Sequence, residues 1–129
     1  MDMFQDKNVI NLTGKDFKIL DGKKHVEVIN KEIAGKDGCF MIYAPWCPHC
    51  QDKEQTITKL CKMINPDKSL NFKVGVANGD SPDMRDVVRA LGLEGFPTFY
   101  HISCTNGGKS IVTDFTIAGT ELIATADKL

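Results

Sequence analysis

Apolar runs and polar punctuation alternate along the chain in a way that predicts short strands and helices in turn. Residues 1–8 are polar and read as loose. Val9 to Leu12 is a short strand candidate, and Thr13 to Phe17 a turn or a single helical turn. Between 18 and 38 two patterns compete. Asp21-Gly22 is a hairpin-type signal between Phe17–Leu20 and His25–Val28, whereas Val26, Ile29 and Ile33 recur at helical spacing up to Gly35. The preferred reading is a turn followed by a short helix. Residues 39–44 form an apolar run suited to a buried central strand, and Ile57, Leu60, Cys61 and Ile64 share one side of a helix over 48–64. That helix ends before Asn65-Pro66-Asp67.

From Leu70 to Ala77, the residues Leu70, Phe72, Val74 and Val76 alternate with Asn71, Lys73 and Gly75, as a strand requires. Ser81-Pro82-Asp83 opens the next helix. Its buried face is Met84, Val87, Val88 and Leu91, and Gly92 stops it. Phe96–Ile102 and Ser110–Ile117 read as strands joined across Thr105-Asn106-Gly107-Gly108, and Gly119–Leu129 as a closing helix with Leu122, Ile123 and Ala126 inward. A β-α-β unit, a hairpin and a last helix make an α/β domain. With no repeat, low-complexity tract or linker, residues 1–129 read as one unit.

Composition sets limits. Apolar content of 42% and charged content of 26% are ordinary for a globular chain large enough to bury a core. A net charge of −1 gives no reason to expect nucleic acid or an anionic membrane as partner. The longest apolar stretch, Cys39 to Cys47, falls far short of the roughly 20 residues that span a bilayer. Met1 to Asp6 has no basic or apolar signal region, which predicts a cytoplasmic protein. Asp127-Lys128-Leu129 is only a loose echo of an endoplasmic-reticulum retention tail, and a viral or endoplasmic-reticulum origin stays open.

The candidate chemistry lies in Ala44-Pro45-Trp46-Cys47-Pro48-His49-Cys50. Strand, tight turn and helix form the context in which Cys-x-x-Cys reads as a redox site. A structural zinc wants four N/S ligands, usually two spaced pairs, and no second Cys-x-x-Cys or His pair exists here. The helix start, with its unpaired N–H groups and dipole, favours a thiolate, the form that attacks disulfides. Pro48 suits the first helical turn, and a charged His49 would add a cation near the Cys47 sulfur. Both effects should hold the Cys47 pKa below the free value of about 8.5 and make the disulfide a better oxidant. Trp46, just before the nucleophile, is expected at the rim of the site.

Phe40 to Cys50, reading FMIYAPWCPHC, resembles the active-site strand and turn of the thioredoxin superfamily. Tyr43 to Cys47 is most similar to the catalytic domains of protein disulfide isomerases, and the Pro48-His49 pair resembles the bacterial periplasmic oxidant DsbA. Gly95-Phe96-Pro97-Thr98 resembles the loop in which the family holds a cis-proline against the active-site sulfurs. Val9 to Thr13 with Asp16-Phe17 resembles the family's opening strand and turn. The resemblance implies a thioredoxin fold, a mixed sheet of about five strands flanked by about four helices. It implies a thiol–disulfide oxidoreductase acting on proteins, with Cys47 as the exposed nucleophile, Cys50 resolving, and Pro48 and His49 tuning the potential. Trp46, Phe96, Pro97 and Thr98 would contact substrate. With Pro-His in place the expected potential is roughly −120 to −200 mV, against about −270 mV for thioredoxin. No metal and no cofactor are implied. The expected partners are protein thiols and disulfides, with a thioredoxin reductase or an upstream thiol oxidase supplying electrons or oxidising equivalents, and the chain itself a monomer. The alternative is a slow redox-sensing or partner-binding module.

Two departures from the family bear on that alternative. The buried acid usual six residues before the first active-site cysteine is Met41 here, and the place of its lysine partner is Val76 or Asn78. The proline usual in the middle of the second helix is absent, with Gln55 near its place. Of the remaining cysteines, Cys61 should be a buried small hydrophobe. Cys39 and Cys104 should lie at the far end of the central strands, close enough to pair if those strands are antiparallel neighbours.

Overall fold

The computed structural model describes residues 2–20 and 25–129. Strands β1 (Ile10–Leu12), β2 (Phe17–Ile19), β3 (Val26–Val28), β4 (Asp37–Tyr43), β5 (Phe72–Asn78), β6 (Thr98–Cys104) and β7 (Ser110–Asp114) form one sheet, ordered β1-β5-β4-β6-β7-β3-β2. Helices α1 (Pro48–Ile64), α2 (Arg85–Leu91) and α3 (Ile117–Asp127) complete the described residues, with 3-10 turns at Gly14–Asp16 and Pro82–Met84.

β4 is central because its residues can be buried on both faces. Cys39, Met41 and Tyr43 point into one core with Ile57, Leu60 and Cys61 of α1 and Ile123 and Ala126 of α3. Phe40 and Ile42 point into the other, with Met84, Val87, Phe17, Val26 and Val28. The parallel pairing of β4 with β5 (Met41↔Val76) and its antiparallel pairing with β6 (Ile42↔Thr98) put the end of β4 beside the start of β6. That juxtaposition positions the site.

Several expectations change. Among the described residues seven strands replace about five and three α-helices replace about four, because Phe17–Ile19 and Val26–Val28 extend the sheet in place of a short helix. β2 and β3 pair antiparallel, Phe17 opposite Val28 and Ile19 opposite Val26. Val26 and Val28, two apart, are both fully buried, whereas Ile29 is 45% exposed. The period was two and the hairpin reading was the right one; its Asp21-Gly22 turn lies outside the described residues. The N-terminus is also pinned. Phe4 is buried against Tyr43, edge to face at 5.0 Å, and its N–H donates to Glu54 Oε2 at 2.8 Å. β5 starts at Phe72, leaving Leu70 exposed, and β6 starts at Thr98, leaving Phe96 in the loop.

Cys39 and Cys104 do not pair, and all five cysteines are free. β4 and β6 are antiparallel neighbours, but Cys39 lies opposite His101. Cys104, three residues further, points to the other face. Cys61 is fully buried as expected, and burial pushes both the Cys39 and Cys61 thiols up to about 12, so neither ionises near neutral pH.

Candidate functional site

The sheet delivers the chain to the site twice. After β4 the backbone turns through Ala44-Pro45-Trp46, with the Cys47 N–H donating to the Ala44 carbonyl at 3.1 Å. Cys47 is the N-cap of α1 and Pro48 occupies the first turn, where a missing N–H costs nothing. The Cys50 N–H, one of the donors a helix start leaves unpaired, donates to Cys47 Sγ at 3.4 Å. From the other side the loop before β6 brings the carbonyl of Phe96, which accepts from the Cys47 thiol at 3.6 Å. The Phe96–Pro97 peptide is cis. Cys47 therefore sits between a helix N-terminus and the proline loop, with a donor on one side and an acceptor on the other.

Cys50 lies behind it, fully buried against the core that contains Met41. Burial first, then the hydrogen bond with Cys47, pushes the Cys50 thiol up to about 11. The inner sulfur is thus strongly held in its protonated form.

Cys47 is less open than sequence reasoning expected. It is 4% exposed, because the turn before α1 and the Phe96 carbonyl close over it, but it keeps surface where Cys50 has none. Trp46 does lie at the rim, 62% exposed. Its ring meets Phe96 edge-on at 5.8 Å, and its Nε1–H donates to Asp80 Oδ2 at 3.1 Å. Phe96, Pro97 and Thr98 are half-buried beside it, and the Thr98 hydroxyl donates to the Gly95 carbonyl at 2.6 Å. Pro48 and His49 are exposed on the first turn of α1, and among the described residues the His49 ring makes no hydrogen bond to either sulfur.

Three contributing residues were missed. Asp80 orients the indole, and its own N–H is held by Asn78 Oδ1 at 3.0 Å. A Cβ on Gly79 would lie 2.5 Å from Ile42 and 2.6 Å from the Phe96 ring, so only glycine lets that ring settle. The Gln51 side chain donates to the Pro45 carbonyl at 2.9 Å, bracing the turn. Asn78-Gly79-Asp80 is legible as a turn, but nothing local says that it turns beside Trp46.

The Thioredoxin family matches this chain over residues 16–127. Yeast protein disulfide-isomerase (Saccharomyces cerevisiae) is 31% identical over 94 residues, covering 73% of this chain and 15% of that protein. The Arabidopsis thaliana protein disulfide isomerase-like 1-4 is 30% identical over 100 residues, 77% of this chain and 15% of its own length. The chain spans only 9–17% of such curated relatives. Among solved structures, the Trx4 domain of ERdj5 superposes with a TM-score of 0.60 at 22% identity, covering 95% of both chains. Mitochondrial thioredoxin 3 of Saccharomyces cerevisiae gives 0.53 at 18% identity, covering 94% of this chain and 95% of its own. The mixed sheet, the flanking helices and the cis-proline loop are those of the thioredoxin fold, and this chain belongs to the thioredoxin family.

Proposed function

We propose that the chain is a thiol–disulfide oxidoreductase acting on protein cysteines through Cys47 and Cys50. The observation that carries this reading is the position of Cys47, which caps α1 and touches the carbonyl before cis-Pro97. In the reducing direction, the Cys47 thiolate attacks one sulfur of a substrate disulfide. The Cys47–substrate bond forms, the substrate S–S bond breaks, and the departing thiolate takes a proton. Cys50, once deprotonated, attacks Cys47 Sγ and releases the second substrate thiol. Two electrons pass from the dithiol to the substrate, and oxidation is the same sequence reversed. Pro48 and His49 tune the potential. Trp46, Phe96, Pro97 and Thr98 form the wall on which an extended substrate segment lies. The names of the relatives, protein disulfide-isomerases, agree with this substrate class.

The described helices include none long and apolar enough to cross a membrane. The chain is proposed to work as a monomer on protein thiols, in the cytoplasm, supplied by a thioredoxin reductase or a thiol oxidase. A second reading, a slow redox-sensing module that binds a partner, draws on the near-covered Cys47 and the high Cys50 pKa. Insulin reduction and oxidation of a reduced protein substrate, run on wild type and Cys47→Ser, separate the two. Turnover lost in Cys47→Ser supports the oxidoreductase; wild-type rates no faster than Cys47→Ser refute it.

A further inference from the structure

At the opposite end of the sheet from Cys47 lies a groove of about 670 Å³. It is reached from the starts of β1, β4 and β5, whereas Cys47 follows the end of β4, roughly 20 Å away along a strand rising about 3.3 Å per residue. Five lysines line the groove, Lys7, Lys31, Lys36, Lys68 and Lys73, against a single acid, Glu32. This is a strong local excess in a chain whose net charge is −1.

The neighbouring carboxylates are hydrogen-bonded locally, and Asp67 also lies close enough to Lys73 for that ammonium to help hold its carboxyl below the usual range. Asp6 Oδ1 accepts from the Asn8 N–H, Asp37 Oδ1 from the Cys104 N–H, and Asp67 Oδ1 from the Ser69 N–H and hydroxyl. None of the five lysines is in an ion pair among the described residues, where the pair found is Lys53–Asp127. Lys73 is the most telling, being only 7% exposed. Its ammonium donates to the Asn65 carbonyl at 2.8 Å, at the negative end of α1 and with the Asp67 carboxylate near by, and an ammonium has two further donors to offer. A bound anion would add to that partial compensation through the remaining donors.

We propose that this groove binds a small molecule carrying an oligophosphate group. Lysines bind phosphate as point-charge donors, and an oligophosphate spreads enough charge to meet several of the five that line the groove. The volume suits a small ligand, for which pockets run about 300–1,000 Å³. Pro66 and Leu70, the latter 41% exposed, give an apolar wall for whatever the phosphates carry.

The test is titration calorimetry of the full chain with inorganic tripolyphosphate and with ATP, at about 0.15 M salt, where weak surface attraction is screened. Lys31→Gln/Lys68→Gln removes two exposed charges and leaves Lys73 on its carbonyl; its thermal melt without ligand confirms folding. Saturable binding of either probe, weakened on the order of tenfold in the double variant, is the expected result. Tighter binding of ATP than of tripolyphosphate would add that the apolar wall is used. No saturable heat with either probe, equal binding by the variant, or the same response to sulfate at matched ionic strength would each overturn the proposal.

Discussion

The buried Cys50 thiol predicts a slow, steeply pH-dependent second step. Burial is the leading reason the Cys50 thiol rises from its ordinary 9.0 to about 11. At pH 7 that lowers its thiolate fraction from ~1% to ~0.01%, a deficit of ~100-fold. A more basic thiolate is also a better nucleophile, with a Brønsted slope of about 0.4–0.5, which returns about tenfold. The net penalty on resolution is therefore at most about tenfold relative to an unburied thiol in the same geometry, since the share of the shift that Cys47 contributes is lost in the adduct. The assay loads Cys47 with thionitrobenzoate, whose thiol stays ionised as it leaves, and follows its release by absorbance from pH 7 to 9. In the adduct the Cys47 hydrogen bond is gone, but burial remains. The rate should climb with unit slope, on the order of a hundredfold across that range. Met41→Asp, which puts a carboxylate in the core that holds Cys50, should raise the rate at pH 7 and flatten the profile, since a positioned general base contributes about 10²–10⁴-fold. A wild-type rate that levels off below pH 8 would refute the reasoning, as would one at pH 7 equal to that of a folded Met41→Asp.

Gly79→Ala drives a methyl into Ile42 and the Phe96 ring, and overpacking of this kind costs about 1–3 kcal/mol. Because the Phe96 carbonyl is the partner of Cys47, the rate of Cys47 alkylation should change along with the denaturation midpoint; a change in neither would count against the assigned packing. Ser110→Ala leaves the Lys36 carbonyl without its hydroxyl partner, while the Lys36 N–H and Ile33 carbonyl keep each other, and urea denaturation should show a loss of about 1–3 kcal/mol. Acid should destabilise the fold through three carboxyls held below the usual range, Asp67 by the Ser69 hydroxyl and N–H, Asp83 by the Ser81 hydroxyl and the Gly14 N–H, and Asp127 by the Thr56 hydroxyl and Lys53. A depressed folded-state pKa gives stability that is present above the unfolded value and lost as pH falls through the folded one. Denaturation midpoints should therefore fall on acidification below the ordinary carboxylate range, and fall less in Asp127→Asn.

Much of this was legible in the sequence because the strongest signals are local. A continuous apolar run at 39–44, a helical face at Ile57, Leu60 and Cys61, and Gly92 at φ +67° each needed only nearby residues to be read. Cys47 and Pro97 are 50 residues apart, yet strand order alone brings them together, since β4 ends where β6 begins. The failures came where two periods shared the same residues or where contacts were long-range. Val26, Ile29 and Ile33 mimicked a helix, although the energy lay in Val26 and Val28 against Phe17. Phe4 looked like part of a polar tail, but its partner, Tyr43, arrives from a distant strand. The bracing Asp80–Trp46 bond and the space Gly79 leaves for Phe96 are likewise tertiary facts with no local signature.

The claim on which the rest depends is that Cys47 and Cys50 form a reversible dithiol–disulfide couple whose disulfide is a good oxidant. Equilibration in glutathione buffers of graded potential, with the two thiols followed by alkylation and mass mapping, measures it directly. The account predicts a single two-electron transition confined to Cys47 and Cys50, abolished in Cys47→Ser, with a potential of roughly −120 to −200 mV. A transition near thioredoxin's about −270 mV would contradict the role given to Pro48 and His49. Two thiols that never close under oxidising glutathione would contradict the site itself.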